Sequence, residues 1–375
     1  MLSPVSQRKF SEFSQHLDKK SMEKRLPYMG AFELTYRCNL NCQHCFCNLS
    51  AGHPKKREEL TLVEIKRLLN EMADAGCLWL LLTGGEVTAR EDFLDIYDHA
   101  LARGMFLEVF TNATLITEKI AERFAQRPPL GVEISIYGAS AGVHDKVTRV
   151  SGSFEKAMNG INRLKKHNVG FSLKTVILKT NVSDLKNMQE LAGSLGVDFK
   201  FDCLVCPRKD SGTEPLNYRL PAQEAVEFEF RDEGNLSSLE KIFSFFWKKD
   251  FRDITICSAG INSFNVDPYG SLSPCTMYKS FQYSLRNAPF GEAWEKLVKD
   301  YGNGPNDFLA SKCKDCSMVS LCPNCPAWAQ LEEGRLDKPA DYLCQYALML
   351  EEKFFEKQMQ TNQEVASDKK TLSKA

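Results

Sequence analysis

The chain has 375 residues, 43% of them hydrophobic, which is long for one domain and comfortable for two with a sizeable core. Its 48 Lys and Arg balance 49 Asp and Glu, so charge proposes neither nucleic acid nor an anionic membrane surface as a partner. The N-terminus MLSPVSQRKFSEFSQHLDKK has no apolar signal segment and no run of 18 apolar residues occurs anywhere, so a cytoplasmic chain without a membrane span is expected.

Residues 1–28 read as a polar N-terminal arm, helical or partly ordered. A first strand, Ala31 to Tyr36, runs into Cys38-Asn-Leu-Asn-Cys42-Gln-His-Cys45, three thiols at CxxxCxxC spacing. Thiolates are the usual ligands of iron-sulfur clusters, and three of them on a four-iron cubane leave one iron open. Zinc with His44 as fourth ligand, a disulfide, or buried core thiols are the competing readings at this point. Fourteen cysteines in a reducing compartment argue for metal binding over disulfides.

Beyond the loop, strand-like runs alternate with helical periodicity. Helices are expected near Thr61 to Ala75, Asp92 to Arg103, Glu118 to Gln126, Phe154 to His167 and Ser183 to Leu195. Between them lie strands Cys77 to Leu82, Phe106 to Phe110, Val132 to Ile136, Phe171 to Leu178 and Phe199 to Leu204. Six such units predict an α/β fold, a parallel sheet closed into a partial barrel over residues 29–204. In such barrels chemistry gathers at the C-terminal ends of the strands. This chain puts Cys38, Cys42 and Cys45, then Gly84-Gly85-Glu86, Asn112, Ser135, and the Cys203/Cys206 pair at those ends.

Residues 205–250 read as a bridge of two helices, Pro221 to Glu233 and Leu236 to Lys249, whose aromatic residues serve packing. From 251 to 359 come Cys257, Cys275, Cys313, Cys316, Cys322, Cys325 and Cys344, more ligands than a zinc ribbon needs. The first two flank an expected hairpin with its turn at Asp267-Pro268-Tyr269-Gly270. Residues 360–375 read as a disordered polar tail.

The CxxxCxHC loop followed by GGE resembles the radical S-adenosylmethionine (SAM) enzymes, and the C-terminal cysteines resemble their SPASM extension. The match to the SPASM pattern runs through Gly270 and Cys275 as GxxxxC and Cys313, Cys316 and Cys322 as CxxCxxxxxC. Cys325 comes one residue earlier than is usual in that family, and Val87 stands where a proline is common. The resemblance implies a partial (β/α)6 TIM-like barrel followed by a small SPASM domain. It implies a 4Fe-4S cluster on Cys38, Cys42 and Cys45 that binds SAM, with Gly84, Gly85, Glu86, Asn112, Ser135 and Arg149 around the cofactor. Two auxiliary iron-sulfur clusters are implied, one on Cys257, Cys275 and Cys325 and one on Cys313, Cys316, Cys322 and Cys344. The first of these lacks an obvious fourth ligand, and Cys203 and Cys206 read as redox-active, cluster-capping or core thiols, core thiols being favoured.

The implied reaction is reductive cleavage of SAM to a 5′-deoxyadenosyl radical that abstracts hydrogen from substrate. The leading expectation is a peptide or protein maturase fed by a low-potential donor of flavodoxin or ferredoxin type. The short N-terminal arm leaves no room for a leader-binding module, so a separate leader-binding partner or a leaderless substrate is expected. Thr276, where sulfatase-maturing relatives carry aspartate, argues against that activity. Modification of a tetrapyrrole or a redox-cofactor precursor is the alternative, and a non-catalytic electron carrier the third reading.

Overall fold

The computed structural model describes residues 10–47, 49–50, 52–231, 236, 257–278, 280–319 and 322–372. Of the expected helix from Leu236 to Lys249, only Leu236 is among them.

A helix α1 (Phe10–Glu23) precedes β1 (Met29–Thr35). Five βα units follow, with strands β2 (Trp79–Gly84), β3 (Phe106–Thr111), β4 (Gly131–Ser135), β5 (Ser172–Val176) and β6 (Phe199–Asp202). Each pairs in parallel with the one before it, in chain order. The helices on the outside are α2 (Leu62–Asp74), α3 (Phe93–Ala102), α4 (Glu118–Gln126), α5 (Ala141–Thr148), α6 (Ser153–Lys166), α7 (Leu185–Leu195) and α8 (Ala222–Arg231). The result is a partial six-unit barrel.

Local chemistry explains the helices. Thr61 and Glu64 form a reciprocal capping box at the start of α2, and Ile65, Leu68, Leu69 and Met72 make its single buried stripe. In the strands the same alternation works at period two: Leu107 and Val109, Val132 and Ile134, and Leu173 face the helices. The opposite face presents Phe110, Glu133, Ser135, Lys174 and Lys200 to the barrel interior, so the lumen is polar and open enough to admit a ligand.

The segment after Ser140 forms α5, which the sequence reading did not include among its helices. Asp145 explains why the chain can turn sharply into α6: its carboxylate accepts from Gly152 N at 2.6 Å, Ser153 Oγ at 2.8 Å and Phe154 N at 2.8 Å. His144, beside it, is buried and accepts at Nδ1 from Tyr137 N at 3.1 Å. Both residues are structural.

The expected hairpin forms as β7 (Ser263–Val266) and β8 (Ser271–Ser273), with Asp267 Oδ1 accepting from Tyr269 N at 2.9 Å and Ser271 N at 2.8 Å. It does not stand apart from the barrel. β7 pairs in parallel with β1, and β8 pairs antiparallel with β7 and with β9 (Tyr283–Ser284), giving one nine-stranded sheet in the order β9-β8-β7-β1-β2-β3-β4-β5-β6. The cysteine-rich segment is thereby locked to the barrel's first strand. Helices α9 (Phe290–Tyr301), α10 (Pro326–Glu333) and α11 (Asp341–Leu372) complete it. The segment expected as a disordered tail from 360 continues α11 to Leu372, because it contains no Gly or Pro to stop an existing helix from propagating.

Candidate functional site

The loop from Cys38 to Cys45 lies across the C-terminal mouth of the barrel and is pinned to the end of α5. Asn41 N donates to Thr148 O at 3.0 Å, Gln43 N to Val147 O at 2.9 Å and Gln43 Nε2 to Lys146 O at 3.1 Å. These are carbonyls that a helix end leaves without partners, so helix and loop satisfy each other. Arg149, in the left-handed conformation at φ 57°, closes α5 and hydrogen-bonds Tyr218 Oη at 2.8 Å. Its charge lowers the Cys42 thiol, opposing the stronger upward push of burial.

The three thiols of this loop feel one another. Burial pushes the Cys38 thiol up to about 12, and the charges of Glu86 and Cys45 push in the same direction. Cys42 is raised well above the ordinary thiol range by burial, then by Cys45 and Cys38. Three thiolates in a buried space repel one another unless a cation sits among them, which is the chemistry of a metal centre. Among the described residues no set of three cysteines has its sulfurs all within 4.8 Å of one another. A tetrahedral zinc ion with Zn–S of about 2.3 Å holds its sulfurs roughly 3.8 Å apart. His44, offered as a zinc ligand by sequence, packs edge-on to Tyr137 at 4.7 Å, and burial lowers its imidazole to about 4.

Gly84 and Gly85 join this loop to β2. A Cβ on Gly84 (φ 128°) would lie 2.2 Å from Thr35 O, and one on Gly85 2.3 Å from Arg37 O. Gly85 N donates to Thr35 O at 2.7 Å and Glu86 N to Arg37 O at 2.9 Å. Here the glycines serve the approach of one strand end to another. The Glu86 carboxylate, which the resemblance places around the cofactor, is fully buried and taken up by protein donors. Oε1 accepts from Thr88 N at 3.1 Å, from Thr88 Oγ1 and from Thr111 Oγ1 at 2.7 Å, while Oε2 accepts from Asn112 N at 2.7 Å. Val87, where a proline is common, fills the core below.

Asn112 carries this order to the cysteines. Its Nδ2 donates to Cys38 Sγ at 3.6 Å and to Asn39 Oδ1 at 3.1 Å, and Asn39 Nδ2 donates to Thr114 Oγ1 at 2.7 Å. Ser135 lies on the lumen side of β4 and lines, with Glu133, Tyr137, Lys174 and Asp202, a cavity of about 290 Å³. Within it Glu133 bridges Lys200 at 2.6 Å and Lys174 at 3.3 Å, and burial lowers the Lys174 ammonium to about 8. Sequence reasoning missed this lumen group, although charged residues inside apolar strands are its signal.

The C-terminal cysteines fall into two groups. Cys313, Cys316, Cys322 and Cys344 line one cavity of about 130 Å³ whose other walls are mostly apolar, including Met318, Val319 and Leu343, with Asn324 the polar exception. Cys275 is raised to about 12, by burial and then by Cys325 and Cys257. Burial raises Cys325 as well, Cys257 adding to it. All fourteen cysteines are free thiols, so no disulfide competes for them. Between the two metal regions sits a polar cavity of about 170 Å³ lined by Tyr36, Lys209, Asn265, Asp267 and Thr276 among others. Buried Glu33 organises it: Oε2 accepts from Asn265 Nδ2 at 3.0 Å and Tyr36 Oη at 3.1 Å, and pairs with Lys209.

Residues 32–192 match the radical SAM superfamily. The chain is 28% identical over 328 residues to the AdoMet-dependent heme synthase of Methanosarcina barkeri, covering 82% of this chain and 93% of that protein. It is 32% identical over 201 residues to the mycofactocin maturase MftC of Mycobacterium tuberculosis, covering 53% of this chain and 48% of that one. Streptococcus suis SuiB bound to S-adenosylmethionine shares the fold at 15% identity, with TM-score 0.65 over 92% of this chain and 83% of SuiB. The chain carries a radical SAM domain with a cysteine-rich, SPASM-like extension. It is therefore an enzyme of radical chemistry that uses SAM and a 4Fe-4S cluster, and the electron-carrier reading is set aside. No helix among the described residues is long and apolar enough to cross a membrane.

Proposed function

We propose that this enzyme is a cytoplasmic maturase that modifies a peptide or protein substrate held in the polar barrel lumen. Cys38, Cys42 and Cys45 hold the cluster that binds SAM. When bound, that pair supplies hydrogen-atom abstraction from an unactivated C–H bond, the chemistry residing in the cofactor. The carrying observation is that three half-buried thiols, with Cys45 raising Cys38 and both raising Cys42, sit at the mouth of a lumen lined by Ser135, Glu133 and Lys174. The chain's own residues orient and exclude. Asn112 holds Cys38, Glu86 holds Asn112, and Arg149 offers a cation beside Cys42.

Cys257, Cys275 and Cys325 hold one auxiliary cluster, and Cys313, Cys316, Cys322 and Cys344 a second. Supporting this reading, the charges of Cys325 and Cys257 raise Cys275, that of Cys257 raises Cys325, and the other four cysteines line one mostly apolar cavity. Residues 29–204 form the catalytic unit and 251–359 the auxiliary one. A low-potential flavodoxin or ferredoxin-type donor and a separate leader-binding partner complete the system.

A second reading, modification of a tetrapyrrole, draws on the near full-length match to the heme synthase. One experiment separates the two. The anaerobically reconstituted enzyme, with SAM and dithionite, is given either a peptide encoded beside its gene or an iron-bound tetrapyrrole carboxylate. The proposal expects a mass change in the peptide alone; a change in the tetrapyrrole alone replaces it with the second reading.

A further inference from the structure

We propose that Asp202, at the end of β6, is the base that accepts a proton from the substrate after hydrogen has been abstracted in the barrel lumen. The proposal rests on the reading of that lumen as the place where a peptide substrate is held. Abstraction breaks a C–H bond and leaves a carbon radical. When that carbon forms a new bond to a neighbouring nitrogen, oxygen or sulfur, the bond from that atom to its hydrogen breaks. One electron then passes to an oxidised auxiliary iron-sulfur cluster, and one proton needs an acceptor. The abstracted hydrogen atom ends in 5′-deoxyadenosine and the proton on Asp202, so the substrate gives up two hydrogens in all.

Asp202 stands where such a base is needed. It lines the cavity of about 290 Å³ together with Ser135 and Tyr137, and its side chain is exposed there. Tyr137 packs edge-on against His44, which lies between Cys42 and Cys45, so this cavity adjoins the cysteine loop. Strand alternation puts Lys200 and Asp202 on one face of β6, and Asp202 pairs with Val176, the last residue of β5. Asp202 therefore marks the upper rim of the lumen, with Lys200 and its partner Glu133 in the layer below. Oδ1 accepts from Leu204 N at 2.7 Å, which fixes the side chain at the strand end. The two lysines of the lumen both go to Glu133, and among the described residues no ion pair involves Asp202. Its second oxygen is left to the cavity.

The two carboxyls of this cavity have opposite surroundings. Burial pushes the Glu133 carboxyl up, but the Lys200 and Lys174 ammoniums outweigh it and hold the group below the usual carboxylate range. For Asp202 the protein mass around an open side chain raises the carboxyl, and only the Leu204 amide works the other way. Carboxyls whose surroundings separate their proton affinities in this manner divide into a fixed charge and a proton carrier. Glu133 is the fixed anion that positions two lysines. Asp202 is the carrier, set at the rim where substrate and cysteine loop meet. Ser135 and Tyr137, beside it, are hydroxyl groups and make poor proton acceptors.

The test uses the anaerobically reconstituted full chain with SAM, dithionite and the peptide encoded beside its gene. Modified peptide formed per 5′-deoxyadenosine released is read by mass spectrometry. Asp202→Asn is expected to lower that ratio by about 10²–10⁴-fold, because 5′-deoxyadenosine is still made while the carbon radical decays without product. Asp202→Glu, which keeps the carboxylate, recovers part of it. A second readout needs no turnover: the enzyme without SAM is treated with a water-soluble carbodiimide and methylamine. Asp202 is expected to take the label, and the peptide to protect it. A wild-type ratio in Asp202→Asn, or labelling of Asp202 that the peptide leaves unchanged, overturns the proposal. Should Asp202→Asn lose iron or fold, the Asp202→Glu ratio and the labelling decide. A wild-type enzyme that releases 5′-deoxyadenosine but leaves the peptide unmodified overturns the peptide reading itself, and the proposal with it.

Discussion

The side-chain amide of Asn112 donates to the sulfur of Cys38 at 3.6 Å, across 74 residues of sequence. It joins the end of the third strand to the first cysteine of the loop at the barrel mouth. Hydrogen bonds to cluster sulfurs, and the outer residues that aim the ligands, set potential and affinity in such centres.

Asn112→Ala removes this donor while leaving the thiol in place. The expected outcome is a more negative potential for the SAM-binding cluster and a loss of about 10–100-fold in metal affinity or SAM cleavage. A redox titration followed by EPR, beside an assay for 5′-deoxyadenosine, measures both.

Glu86→Gln tests whether that carboxylate positions protein or touches cofactor. Both oxygens accept only from donors, so an amide nitrogen there faces an N–H or an O–H and leaves a buried group unsatisfied, at about 1–3 kcal/mol. Thermal stability and cleavage fall together. An unchanged melting temperature with only a raised KM for SAM marks direct contact with the cofactor instead.

Gly160→Ala tests the support behind Asn112. An added Cβ on α6 would come within 2.0 Å of Ala113 O, next to Asn112, where Ala113 already sits at φ 59°. A loss of about 1–3 kcal/mol is expected from overpacking, with weaker SAM cleavage. Gly193→Ala on α7, where a Cβ meets nothing within 4 Å, is neutral or stabilising by up to about 1 kcal/mol. Denaturant melts of the two variants give the comparison.

Glu229 on α8 makes stability depend on pH. Burial raises its carboxyl to about 7, and Tyr346 of α11 donates to it. The folded state then holds a proton that the unfolded state releases near 4.5, so the contribution is complete below that value. It is lost as pH rises through about 7, up to about 3 kcal/mol at 1.36 kcal/mol per unit. Glu229→Gln flattens the profile between pH 5 and 8, which melting curves across that range show.

The parallel strands and outer helices were legible in the sequence because their apolar periods are regular. Glu118 to Gln126 matches the observed helix at both ends. What escaped were features set by tertiary pairing. Nothing local in Ser263–Val266 says that it will extend the barrel sheet at β1, and α5 is stabilised by carbonyls that the distant cysteine loop caps. The spacing of the cysteines pointed to metal binding, but their division into groups came from the resemblance to the SPASM pattern. The roles of Glu33 and Lys209, 176 residues apart, were not, because only the fold brings that ion pair together.

The most direct measurement is iron and sulfide content together with 5′-deoxyadenosine release from SAM and dithionite. It compares the anaerobically reconstituted wild type with the variant carrying alanine at positions 38, 42 and 45. We expect about twelve irons falling to about eight, with cleavage abolished, as three four-iron clusters require. Unchanged iron in the variant, zinc bound at those positions in the wild type, or cleavage that persists without the three thiols contradicts the account.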